Sequence, residues 1–517
     1  MSIYSTPSGI TIIGSYNKEW EKILSYEALR FIGSLHRQFN GLLLELLERR
    51  KKTQRSLNEG ASLGFLSGSL SIREEKWEVA APPPVLRERK VEIITGAEDQ
   101  IPSGGYWKEA SGIIVDLEDG LSPTWKNVIQ SQLNLYNLLR EEKAGGDGDL
   151  PVLHLRPRGI HLFEKHVHVD GEPIGASLFD FGLYFFHNAK ILAERQGGPF
   201  FYIPKIENQY EAEFWKTLFA FAENAFSLHP GTIRATIILE TITAAFEIEE
   251  ILYNLKNYLA AMVFEPRDYV FSVIRKLRNQ KIALLPDRSE ITIEAPFLKA
   301  SLDLLAQSCH KRGTLALFEL VPLVASFDER DNLEIFNKIR EEQLQACSLG
   351  VDGYIVAHPR LIPVVKAEIK DSIERRPAEA HSYGEKSIDC ARDLLNFKII
   401  GGEITESGVR NNLSLVLRYL SSWFSGKGAV VISNVKEDGS SAEVARSQLW
   451  QWIHLGAEMD SKIPLDKEIF LSWKREEKEL LSPLPFLDKA DKILEEVVLS
   501  RDFIDFLTLL AYEQLQD

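Results

Sequence analysis

Apolar positions along this chain follow two rhythms. Between residues 17 and 58 they recur at helical spacing through Ile23, Leu29, Phe31, Ile32, Leu35 and Phe39, and LLLELLERRKK continues the pattern. The spacing predicts helix there, ending in a solvated basic segment, RRKKTQR. Residues 59–90 are rich in Gly, Ser and Pro and close on APPPVLRERK, which reads as a linker or an irregular wrap. From residue 91 the rhythm changes. Short β-branched runs appear, separated by longer helical patterns: VEIIT (91–95), GIIVD (112–116), PVLHLR (151–156), FFYIPK (200–205), ATIILE (235–240), AAMVFE (260–265), TLALFEL (314–320) and GYIVAH (353–358). Strands alternating with helices imply parallel pairing and right-handed crossovers. Eight such units fit a closed (β/α)8 barrel, an α/β fold, better than an open sheet. A polar bridge, RRPAEAHSYGEKS, follows, and residues 386–517 then read mainly as helices, interrupted by the apolar run AVVIS (429–433). Three parts are therefore expected, with boundaries near 90/91 and 375/376.

Ionisable residues gather at the C-terminal ends of the predicted strands. They are Asp116 with Glu118 and Asp119, Arg156 with Arg158, Lys205 with Glu207, then Glu240, Asp268 and His358. In a parallel barrel those ends share one rim, where the βα loops build the active site. Glu240 and Asp268 follow neighbouring strands and offer oxygen ligands to a hard divalent cation such as Mg2+. The same two carboxylates could instead pair with Arg156, Arg158 or Arg267, and spacing alone leaves both readings open. Arg156 directly follows a buried-looking strand, where a guanidinium can stabilise a developing oxyanion or enolate.

Composition narrows the choice. The net charge of −15 argues against nucleic-acid or anionic-membrane binding, which needs a basic footprint, but not against a small anionic substrate. Three scattered cysteines suit neither a disulfide framework nor a zinc site. No signal peptide, membrane span or peroxisomal tripeptide is expected, and a cytoplasmic location follows from that expectation.

The residues also carry a resemblance. VDLEDGLSPTWKNVIQSQLNL, LRPRGIHLFEKHVHVDGEPIGASLFDFGLYFFHNAK, FYIPKIEN, GTIRATIILETITAAFEIEEILYNL, CHKRG, DGYIVAHPRL and EDGSSAEVARSQLWQWI together resemble the shorter type of malate synthase over most of the chain. The barrel core is also similar to the wider citrate-lyase-β and malyl-CoA-lyase group. The resemblance implies a TIM barrel (91–375), an N-terminal helical clasp (1–90) and a C-terminal helical plug (376–517). It implies Mg2+-dependent condensation of acetyl-CoA with glyoxylate, then hydrolysis to malate and CoA, as in the glyoxylate cycle. Carried over by motif, Arg156 stands at the catalytic arginine, Glu240 and Asp268 at the magnesium ligands, and Asp438 at the catalytic base on the plug. Arg156, Arg267 and Asp268 would contact the substrate. The alternatives are a related acyl-CoA/2-oxoacid synthase or malyl-CoA-type lyase with a remodelled pocket, or a non-catalytic homologue.

Departures from the family pattern cluster at the expected pocket. Where the family has C-G-R-W-D, with loop amides that hold the glyoxylate carboxylate, this chain has Phe264, Glu265, Pro266, Arg267 and Asp268. Pro266 removes an N–H and Glu265 adds a negative charge, with Arg267 restoring a cation. Two glycines of A-M-G-G-M become Phe318 and Glu319, and Ala429, Val431 and Lys436 replace family residues on the plug. Each change is expected to touch the pocket wall and spare the catalytic groups.

Overall fold

The computed structural model describes residues 3–98, 101, 105–141, 151–326, 329–374 and 387–516. Eight parallel strands close a barrel: β1 (Val91–Thr95), β2 (Gly112–Asp116), β3 (Val152–Arg156), β4 (Phe200–Ile203), β5 (Arg234–Leu239), β6 (Leu259–Phe264), β7 (Leu315–Glu319) and β8 (Gly353–Val356). Every expected run is one of these strands. Several strands end one or two residues before the expected run does, because the chain leaves the ladder into a rim loop there, as at Pro204-Lys205 and Glu265. Neighbours pair in chain order, and β8 closes on β1 through Tyr354 opposite Val91. The α/β barrel assignment therefore holds.

Alternation along the strands divides two apolar populations. Ile114, Tyr202, Ile238, Val263, Leu317 and Ile355 fill the barrel interior. Ile113, Val115, Phe201, Ile237, Phe264 and Phe318 point outward into the layer shared with the helices. Burial on both sides is why these strands read as unbroken apolar runs. Toward the N-terminal ends of the strands, Arg89 forks onto Glu92 (2.8 and 2.9 Å) and donates to Thr236 (2.7 Å) and the Tyr202 hydroxyl (2.6 Å). That buried network fills the end of the barrel away from the rim discussed below.

Register sets the rim. Asp116 lies opposite Arg156 on the β2–β3 pair, and Leu239 opposite Phe264 on β5–β6, so Glu240 and Glu265 emerge at one level. Outside the barrel, the N-terminal helix runs from Tyr26 to Asn58, capped by Ser25, whose hydroxyl accepts the Ala28 N–H. A short 3-10 turn at Lys18–Lys22 replaces the helix expected there. Phe31 and Phe39 pack edge-on against Phe226, Phe214 and Phe221 of the barrel helices. A three-stranded antiparallel sheet, Ile10–Ile12, Phe163–Val169 and Glu172–Gly175, was not anticipated. Its turn is Asp170-Gly171 with both φ positive, the backbone that an Asp-Gly hairpin demands.

The C-terminal part packs helices Glu406–Phe424, Gly439–His454, Lys467–Leu481 and Leu487–Leu499 around a core of their own. The AVVIS run forms one arm of a hairpin, Val430–Ile432 with Val435–Glu437. The hairpin bridges to the loop after β7 through Leu323 and Val435. The expected boundary at 375/376, most of the RRPAEAHSYGEKS bridge and the GGDGD loop lie outside the described residues.

Candidate active site

The rim is assembled from the ends of six strands. After β2, the Asp116 carboxylate accepts the N–H groups of Glu118 (2.8 Å) and Gly120 (3.0 Å) and folds the DLEDG turn. The turn presents Glu118 and Asp119 to Arg156, at 2.7 and 2.5 Å. The Arg156 guanidinium, only 3% exposed, also reaches Glu240 (3.4 Å) and Asp268 (4.0 Å). Lys205, after β4, sits at φ +55°, an uncommon backbone for a non-glycine residue. Its ammonium touches Asp119 (2.9 Å), Glu240 (3.2 Å) and Asp268, and its N–H donates to Glu240. Arg50 of the N-terminal helix holds that backbone from behind. It donates to the Lys205 carbonyl (2.5 Å) while forking onto Glu211 (2.7 Å twice).

One oxygen each from Asp119, Glu240 and Asp268 lies within 4.8 Å of the others, a metal-type grouping found among the described residues. The donors are all hard carboxylate oxygens, which suits Mg2+ or a similar dication. The Asp268 Oδ1 and Glu118 Oε1 atoms are buried without a hydrogen-bond partner, leaving ligand capacity unused. Five carboxylates, those of Asp116, Glu118, Asp119, Glu240 and Asp268, lie within 4.0 Å of Arg156, and all but Asp116 also face Lys205. When all are ionised, the carboxylates outnumber the cations, and the group favours a further positive charge. Burial pushes Glu118 up to about 8, against the pull of Lys205 and Arg156, and burial likewise drives Asp268 well above the usual carboxylate range. Asp119 is also buried, yet Lys205 and Arg156 together hold it well below that range.

The helical C-terminal part lies over this rim at backbone distance. A Cβ on Gly428 would fall 2.1 Å from the Gly120 carbonyl oxygen, and one on Gly439 would fall 3.0 Å from Asp119 Oδ1. Asp438 caps helix Gly439–His454, accepting from the Ser440 hydroxyl (2.6 Å) and the Ser441 N–H (3.4 Å). Its Oδ1 also meets Arg267 at 3.1 Å. Arg267 pairs in addition with Glu265 (3.0 Å) and Glu319 (2.9 Å). Glu265 accepts the N–H groups of Arg267 (3.2 Å) and Asp268, capping helix Pro266–Lys276. Burial, with Glu265 nearby, pushes Glu319 up to about 8 although Arg267 and Arg156 oppose it.

The structure thus brings Arg156, Glu240 and Asp268 into direct contact through Lys205 and Asp119. It sets Asp438 with Arg267 at the edge of the same group, one residue from the Gly439–Asp119 contact. Other expectations need correction. Arg158 turns away to Asp180 and Glu164, so it is no partner of Glu240 or Asp268. Glu207 pairs with Arg275 and Lys276 below the rim. Phe318 faces the helical layer beside Phe264, because strand alternation sends only Glu319 inward. Val431 is 55% exposed on the hairpin, so it does not line the pocket. Sequence reasoning did not single out Asp119 as a possible ligand or Lys205 at the carboxylates, and the RRKKTQR segment expected to be solvated instead buries Arg50 and Gln54, because Arg50 reaches Glu211 and the Lys205 carbonyl. The dense DLED acids signalled the first, but the acid that faces inward depends on the Asp116 turn.

A cleft opens beside Asp119 and Lys205, roofed by Tyr419, Trp423 and Phe506. His161 stacks on Phe506 with ring centroids 4.0 Å apart, and burial with nearby Arg50 and Lys205 pushes its pKa well down.

A (β/α)8 barrel, with an acidic oxygen-ligand cluster on the C-terminal rim and a helical cover bearing one further carboxylate, defines the class of barrel enzymes with a candidate dication site. Models described as the N-terminal, TIM barrel and C-terminal domains of malate synthase match residues 8–69, 152–397 and 403–515. The malate synthase of Myxococcus xanthus is 35% identical, with 98% of this chain and 97% of that one covered. Malate synthase A of Escherichia coli is 34% identical over 99% of both chains. A Haloferax volcanii malate synthase structure aligns at a TM-score of 0.45 and 14% identity, over 78% of this chain and 98% of that one, too distant to bear on the site. The chain belongs to the malate synthase family.

Proposed function

We propose that the chain is a malate synthase, condensing acetyl-CoA with glyoxylate and hydrolysing the malyl thioester to malate and CoA. The observation that carries this reading is the meeting of Asp119, Glu240 and Asp268 with Arg156 under a cover that bears Asp438. A divalent cation such as Mg2+, held by Asp119, Glu240 and Asp268, would supply Lewis-acid polarisation of the oxoacid carbonyl. Asp438 takes the proton from the acetyl methyl group as general base. Arg156 supplies fixed positive charge where the enolate oxygen develops, and burial keeps that charge strong. Arg267 joins Asp438 to Glu265 on the loop that carries Asp268, and would contact the substrate from there. The cleft beside Asp119 and Lys205 reaches Gly439, next to Asp438, and would lead the acyl chain of acetyl-CoA toward the carboxylate cluster.

In this reading residues 1–90 are a clasp, 91–375 the barrel with the metal and oxoacid site, and 376–517 the plug that carries the base. Buried thiols at Cys309 and Cys347 suit a reducing compartment, and we place the protein in the cytoplasm. No helix among the described residues is long and apolar enough to cross a membrane. The test is CoA release from acetyl-CoA with Mg2+ against a panel of 2-oxoacids. Turnover with glyoxylate supports the reading, and turnover only with a larger oxoacid favours the related synthase. No turnover with any of them overturns it.

A further inference from the structure

We propose that Glu265 is a specificity-determining residue, an internal carboxylate that competes with the carboxylate of the oxoacid. The inference rests on the condensation reading above. A 2-oxoacid carries its carboxylate one bond from the carbonyl that is attacked. Donors for that anion must therefore adjoin the groups that hold the carbonyl. The backbone donors that adjoin Asp268 are its own N–H and that of Arg267, at the positive end of helix Pro266–Lys276. Both are already taken, because the Glu265 carboxylate accepts from each. Pro266, the remaining residue of that first turn, has no N–H to offer.

The neighbouring cation is occupied as well. Arg267 spends its guanidinium on Glu265, Glu319 and Asp438. Glu265 is buried, at 1% exposure, so its carboxylate has no solvent position to retreat to without moving the loop. An incoming carboxylate must displace Glu265 from the two N–H groups and lie beside its negative charge. Glyoxylate consequently binds less tightly than it would with the two N–H groups free.

The test is calorimetric titration of glyoxylate into the Mg2+-loaded protein, for wild type, Glu265→Ala and Glu265→Gln. The alanine variant frees both N–H groups and binds glyoxylate at least about ten-fold tighter. The glutamine variant loses the charge but keeps an oxygen for the N–H groups, and gains less. Unchanged or weaker glyoxylate binding by a folded alanine variant overturns the proposal. Should that variant fail to fold, an unchanged affinity in the glutamine variant does so instead. CoA release by the same proteins separates the two readings. Tighter glyoxylate binding without any CoA release upholds the competition and overturns the condensation, whereas CoA release with unchanged affinity does the reverse.

Discussion

Replacing Arg50 by Met removes the strut that joins the N-terminal helix to the Lys205 loop. The guanidinium is 8% exposed and makes two 2.7 Å contacts with Glu211, itself fully buried, and one of 2.5 Å with the Lys205 carbonyl. Taking one partner from a buried ion pair costs about 3–5 kcal/mol, because the other charge stays buried. Glu211 keeps two other donors, the Glu207 N–H (2.7 Å) and Asn208 Nδ2 (3.0 Å), which places the loss toward the lower end, ~3 kcal/mol. The Met stem retains the apolar packing, so the loss reports the polar contacts. Stability is read from urea unfolding, and function from CoA release. The variant is less stable, and its turnover falls because Lys205, held at φ +55°, loses the bond to its carbonyl. Adding Glu211→Gln recovers part of the stability by removing the orphaned charge, but none of the turnover. A single variant within about 1 kcal/mol of wild type, with unaltered turnover, would refute the role given to this strut.

Asp119→Asn and Glu240→Gln each raise the Mg2+ concentration for half-maximal CoA release, and an unchanged requirement in either removes that residue from the ligand set. Gly428→Ala drives a methyl into the Gly120 carbonyl, so the cover shifts off the rim and turnover drops while the barrel stays folded. Normal turnover in that variant would show that the contact does not seat the cover. Burial pushes Glu342 up to about 7 from an ordinary 4.5, so the folded chain keeps a proton that the unfolded chain gives up between those values. Stability therefore falls as pH rises through that window, and Glu342→Gln flattens the fall. Thermal unfolding at pH 5 and pH 8 checks this, and identical pH dependence in both proteins would refute it.

The barrel was legible because strands buried on both faces write themselves as apolar runs, and because rim acids and bases interrupt those runs where the loops begin. Direction was harder to read. Phe318 and Glu319 are adjacent replacements, yet only alternation along β7 decides which one enters the barrel. Asp116 and Asp119 are chemically alike, but one accepts the turn N–H groups while the other meets Glu240 and Asp268 at Lys205 and Arg156. The Phe163–Gly175 hairpin is marked in sequence only by the Asp170-Gly171 pair, a weaker signal than the helical pattern that follows it. Arg50 lies in a helix far from the rim in sequence, and no local pattern announces its reach to Lys205.

What remains to be measured is the dependence of CoA release on Asp438. With acetyl-CoA, glyoxylate and Mg2+ at saturation, wild type releases CoA. Asp438→Asn, with its fold and Mg2+ binding intact, is slower by about 10²–10⁴, the range that one positioned general base contributes. Release by Asp438→Asn at the wild-type rate would contradict the assignment of the plug carboxylate as the base above the carboxylate cluster.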